Sequence, residues 1–99
     1  MTSLRLVFAP EARLDILAAR TWYEEQSPGL GWEFSRAVEA ATAALLRFPK
    51  SFPQVHGEVR KAVLRRFPYS LLYVLEGDDL TVLGCFHQRR NPHSWQALS

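Results

Sequence analysis

At 99 residues, 47% of them hydrophobic, the chain suits one globular domain (1–99) with a single modest core and leaves no room for a second. A formal charge of +2 is too mild to assign a nucleic-acid partner from bulk electrostatics, and the apolar runs fall short of the roughly 20 residues a membrane span needs. One cysteine, Cys85, excludes an internal disulfide. With no basic-then-apolar leader pattern, the expectation is a soluble, cytoplasmic protein without a membrane partner.

The predicted elements begin with a strand, where Leu4, Leu6 and Phe8 alternate with Arg5 and Val7 up to Pro10, whose ring suits the first turn of a helix. Ala12, Ile16, Ala19 and Tyr23 then recur at steps of four, three and four, one face of a helix that ends at Gln26-Ser27-Pro28-Gly29. Phe34, Val38, Ala41, Leu45 and Phe48 form the stripe of a second helix closed by Pro49, so the two make a helical hairpin. The two prolines, His56 and Gly57 predict an irregular connection over 51–57. Val59 to Phe67, Ser70 to Glu76 and Leu80 to His87 read as three strands, with Glu76-Gly77-Asp78-Asp79 as a hairpin loop.

The fold class is therefore α+β: an N-terminal strand, a helical hairpin and a three-stranded antiparallel meander in one curved sheet, which the first strand completes. Both alternating sets of the middle strand are apolar, Leu71, Tyr73 and Leu75 on one side and Leu72 and Val74 on the other. Two-sided burial follows, and one pair of helices covers one face only, so a partner chain, a groove or the C-terminal segment is expected on the other.

Chemistry concentrates in the second half. It holds Lys50, Lys61, five arginines and all three histidines against Glu58, Glu76, Asp78 and Asp79, and three of those acids lie in the turn. The strand ends are left basic. Lys61, Arg66, His87 and Arg89 offer charge and acid–base function of the kind that grips phosphates. Tyr69 or Trp95 can stack a base. Each has a plainer reading: Arg65 and Arg66 as solvated charges paired with Glu58 or Glu76, His87 as a hydrogen-bonded structural group, Trp95 as a lid on the core. Cys85, His87 and His93 lack a second cysteine and make no metal site, and Gly29-x-Gly31 makes a turn rather than a phosphate loop.

The order of elements, with Arg66-Phe67-Pro68-Tyr69, Tyr73 and His87-x-Arg89-Arg90-x-Pro92-x-x-Trp95, resembles the RelE/ParE toxin superfamily over nearly the whole chain. Ala9-Pro10-Glu11-Ala12 and Ser27-Pro28-Gly29-Leu30-Gly31 before Phe34 are similar to that group as well. The resemblance implies a toxin of a type II toxin-antitoxin system, neutralised in a hetero-oligomer by a small cognate antitoxin lying on Leu71, Tyr73 and Leu75. It implies no cofactor and no metal. Its members act either on DNA gyrase or, as ribosome-dependent endoribonucleases, on messenger RNA; a third reading is an inactive orphan that only pairs with its antitoxin. The ribonuclease reading implies Lys61, His87 and Arg89 as catalytic. Ser70 and Trp95, however, stand where those enzymes commonly carry an arginine and a catalytic tyrosine, and the arrangement is closer to the ParE-like, plasmid-stabilisation branch. Target or nucleic-acid binding then falls to Arg60, Arg65, Arg66, Tyr69, Arg90 and Trp95.

Overall fold

A computed structural model describes residues 3–89. Its elements run β1 (Arg5–Phe8), α1 (Pro10–Gln26), α2 (Leu30–Arg47), β2 (Gln54–His56), β3 (Val59–Val63), β4 (Tyr69–Glu76) and β5 (Asp79–His87). Pro10 opens α1 where its missing N–H costs nothing, and Glu11 places a negative charge in the first turn. Of the expected stripe of α2, Phe34, Val38 and Leu45 are buried and Ala41 is partly buried against the core, while Gly31 and Thr42, not expected on it, are buried as well. Phe48, expected on that stripe, is instead the C-cap and 53% exposed.

The turn between the helices depends on two glycines and a carboxylate. Gly29 sits at φ 91, a left-handed conformation that side chains rarely adopt, and a Cβ on Gly31 would lie 2.7 Å from the Arg20 carbonyl of α1. Gly29 cannot cap α2 with a side chain. Glu24 does so from the neighbouring helix, accepting from the Gly29 N–H at 3.0 Å and the Gly31 N–H at 3.0 Å.

The sheet order is β1-β5-β4-β3-β2, antiparallel throughout except that β1 lies parallel to β5. Arg5 fastens that parallel pair, with its guanidinium forked onto the Asp79 carboxylate at 3.0 and 3.1 Å. The meander and the joining of the first strand are as expected from sequence. Two boundaries differ. The stretch 51–57 contains β2, making five strands rather than four, because Gln54 and His56 pair with Arg60 and Val59. The strand predicted to reach Phe67 stops at Val63: Leu64 and Phe67 are buried, but in a turn in which Arg66 takes φ 70.

The core lies between the helices and one face of the sheet. Ala12, Ala19, Phe34, Val38 and Leu45 meet Ala62, Tyr69, Leu71, Tyr73, Leu80, Val82 and Cys85. Leu71 and Tyr73, each 0% exposed, point into it, whereas Leu72, 1% exposed, belongs to the opposite face by strand alternation. The predicted two-sided burial of β4 is present.

Candidate target-binding site

The register of the meander decides which candidate groups meet. Lys61 pairs with Leu72, and His87 pairs with Tyr69. Positions 69 and 72 of β4 differ by an odd step with no bulge between them, so Lys61 and His87 project from opposite faces of the sheet. His87 packs edge-on against Tyr69 at 5.1 Å, and its Nδ1 accepts the Arg89 N–H at 3.0 Å. On the face that carries Lys61, the neighbours are Ser70, Leu72, Gly84 and the half-buried Phe86. The Ser70 hydroxyl is buried with no hydrogen-bond partner among the described residues.

Several residues expected to bind a target are structural instead. Arg60 donates from Nη1 to the carbonyls of Phe52 at 2.6 Å and Lys50 at 3.1 Å, tying the segment after α2 to β3. Beside it the Tyr73 hydroxyl donates to the Pro49 carbonyl at 2.7 Å, and burial pushes its pKa up while Arg60 draws it down. Tyr69 is 7% exposed within a ring cluster with Tyr23 and Phe34, so it offers no open face for a base. Leu71 and Tyr73 are likewise beneath the helices, where an antitoxin has no access. Of that trio only Leu75 reaches the surface, in a hollow with Leu4, Pro49 and Arg60. Arg90 and Trp95 lie outside the described residues, as does His93.

Arg65 and Arg66 do reach solvent, beside neighbours that no local pattern marks. They form one wall of a cleft of about 610 Å³ whose other wall is the outer face of α2, with Trp32, Glu33 and Arg36. Phe67 closes the floor, held by Phe34 behind it at 5.2 Å. The Arg36 guanidinium lies 4.9 Å from the Trp32 ring centre, and Arg66 Nη1 is 3.8 Å from Glu33 Oε1 rather than near Glu58 or Glu76. The Gln88 N–H donates to the Pro68 carbonyl, pinning the start of the Arg89 segment to this same turn.

A second surface feature is the groove between the helices, about 340 Å³, lined by Phe8, Ile16, Leu17 and Val38 with Arg13, Arg20 and Glu39 around it. Leu17 is 55% exposed there, and Leu14 beside it on α1 is 66% exposed. Among the described residues no group of three or more potential ligands can hold a metal, and no helix is long and apolar enough to cross a membrane.

Asp15 occupies the edge of β5 past the end of β1. The parallel pairing stops at Val82, so the Cys85 N–H has no strand partner on that side, and the Asp15 carboxylate accepts it at 3.1 Å. Burial raises the Asp15 pKa from its ordinary 3.8, Glu11 adds to the rise and the Cys85 bond opposes it. Cys85 itself is pushed up to about 12, by burial first and by Asp15 second, and is an inert structural thiol. Because the folded chain holds the Asp15 proton more tightly than the unfolded chain, stability falls as pH rises from below 3.8 through the raised value. Asp15→Asn keeps an acceptor and removes the titration. Its stability relative to the parent is expected to improve between about pH 3.5 and about pH 7 in urea midpoints, and an unchanged difference across that range would refute the assignment.

Comparison with known proteins agrees with this architecture. The family model for the ParE toxin of type II toxin-antitoxin system, parDE, matches residues 6–92. A chain of the chromosomal ParDE TA system from P. aeruginosa superimposes with a TM-score of 0.77 at 18% identity, covering 86% of this chain and 96% of that one. No curated protein matches the chain. The fold, the order of its elements and the family match over residues 6–92 together place it: the chain belongs to the ParE family of type II toxin-antitoxin toxins.

Proposed function

We propose that the protein arrests growth by binding a macromolecular target such as DNA gyrase, and that a cognate antitoxin neutralises it in the cytoplasm. One observation favours this over RNA cleavage: Lys61 and His87 stand on opposite faces of the sheet, so a single phosphodiester cannot engage both. Ser70 adds to it, since a buried hydroxyl among apolar neighbours supplies no charge to a phosphorane. Exposed arginines at the β3–β4 turn and Arg89 serve binding, where energy is shared over a patch and no single group is a proton carrier.

For the antitoxin, the groove between α1 and α2 has the right character. Its apolar floor fits the apolar face of an amphipathic segment whose acidic positions meet Arg13 and Arg20 on the α1 side and whose neutral or basic positions meet Glu39 on the α2 side, and such a segment would cover Leu17 and Leu14 as well. Induction of the chain alone is expected to arrest growth with transcripts intact, and co-expression of its cognate antitoxin to restore it. Discrete cuts within translated codons, abolished by Lys61→Ala and Arg89→Ala, would overturn the binding reading.

A further inference from the structure

We infer that the cleft between α2 and the β3–β4 turn is a subsite for one unpaired nucleotide of a single-stranded nucleic acid, the base stacking on Trp32 and the adjoining phosphate held by Arg65 and Arg66. The inference stands on the geometry of the cleft and does not require gyrase to be the target. Trp32 is 59% exposed on the outer face of α2. Arg36, one helical turn on, lies over its ring at 4.9 Å, which fixes the indole while much of Trp32 remains accessible. A flat apolar face beside positive charge suits a base better than an acidic peptide, whose carboxylates would pair with the arginines and leave the indole uncovered.

The opposite wall holds the anion. Arg65 and Arg66 occupy successive positions of a turn, and Arg66 sits at φ 70 although it is not glycine. That left-handed conformation is unfavourable for an arginine, and strain kept at an exposed turn is common where a side chain has to be aimed. The turn buries Leu64 and Phe67 on either side of Arg66 and leaves its side chain 81% exposed, so the guanidinium is presented to solvent at the cleft. Three guanidinium groups and one carboxylate line the cleft, and guanidinium forks match phosphate oxygens in pairs. The volume of about 610 Å³ is within the range of small-ligand sites.

Glu33 works against an anion in this cleft, and this gives the hypothesis its sharpest handle. Its carboxylate is 3.8 Å from the Arg66 guanidinium and half-exposed, so it competes with a phosphate for that cation. Glu33→Gln should therefore tighten binding, an effect that misfolding cannot imitate.

The test is fluorescence anisotropy of labelled oligothymidylate and oligouridylate, each of about twelve nucleotides, titrated with the full chain at several salt concentrations. Trp32→Ala is expected to weaken binding at least about fivefold, the loss of one stacked base. The Arg65→Ala/Arg66→Ala double variant should lower affinity and flatten the salt slope by about 0.7, the one phosphate that the two arginines share. Glu33→Gln should bind several-fold more tightly than the parent. Binding of either oligomer that Trp32→Ala weakens supports the subsite, and repeating the titration with oligodeoxyuridylate, which differs from oligouridylate only in the 2′-hydroxyl, identifies the sugar. Equal affinity for an abasic oligomer of the same length, an unchanged affinity in Trp32→Ala, or equally tight binding of a polyglutamate peptide of matched charge would each overturn it.

Discussion

Phe34→Ala is expected to destabilise the fold by about 3 to 5 kcal/mol, the largest loss from any single truncation in the helical layer. Phe34 is 0% exposed on the core stripe of α2. Its ring stacks on Tyr23 at 5.4 Å and meets Phe67 and Tyr69 edge-on at 5.2 and 5.3 Å. Removing it leaves a hole bounded by three large rings, none of which can collapse into it without leaving the others. For a domain of this size the melting temperature should fall by roughly 15 °C or more. The consequence extends to function, because Phe67 is the floor of the arginine cleft and Phe34 is what supports it. A loss below about 1 kcal/mol in urea denaturation would mean that this aromatic cluster is not the centre of the core.

Arg60→Ala separates a structural from a target-binding role. The guanidinium donates to two carbonyls in the segment joining α2 to β2, and the Tyr73 hydroxyl holds a third from the same side. Truncation deprives the Phe52 and Lys50 carbonyls of their charged donor, at a cost of about 2 kcal/mol for hydrogen bonds of this kind. The expected result is a chain that melts earlier yet binds its target normally per folded molecule. Arg65→Ala/Arg66→Ala should give the reverse, near-parental stability with weakened binding, since a surface pair such as Arg66 with Glu33 contributes under about 1 kcal/mol. If Arg60→Ala kept full stability and lost binding, the structural assignment of Arg60 would be wrong.

The contrast between these two arginine positions explains what could be read from the sequence. The helices were legible because their determinants are local: Pro10 at the start of α1, the Phe34 to Leu45 period on α2, Gly29 between them. Strands β4 and β5 were legible for the same reason. Strand β2 was not, since three residues behind a proline carry no period and gain strand geometry only by pairing with β3. Leu64 and Phe67 misled in the other direction, as apolar residues buried in a turn look like the end of a strand. Burial likewise turned Tyr69, Leu71 and Tyr73 from expected contact residues into core.

The candidate site was half legible. Arg65 and Arg66 stood out as a basic pair, and Lys61, His87 and Arg89 stood out as chemistry. That Lys61 and His87 diverge is a matter of strand register, which depends on which residues pair across β3, β4 and β5 and is invisible in composition. Trp32 and Arg36 are not legible as site residues because their partners are some thirty residues away, across the boundary between helix and sheet. The only local signal was their four-residue spacing on the polar side of α2, with a large aromatic residue where solvent was expected.

The claim that this ParE-family chain acts by binding rather than by cutting RNA is most directly tested by adding the purified protein to a DNA gyrase supercoiling reaction. Dose-dependent loss of supercoiling is expected, reversed by the antitoxin and undiminished by His87→Ala. Unaffected supercoiling, together with cleaved messenger RNA on translating ribosomes that requires His87, would contradict it.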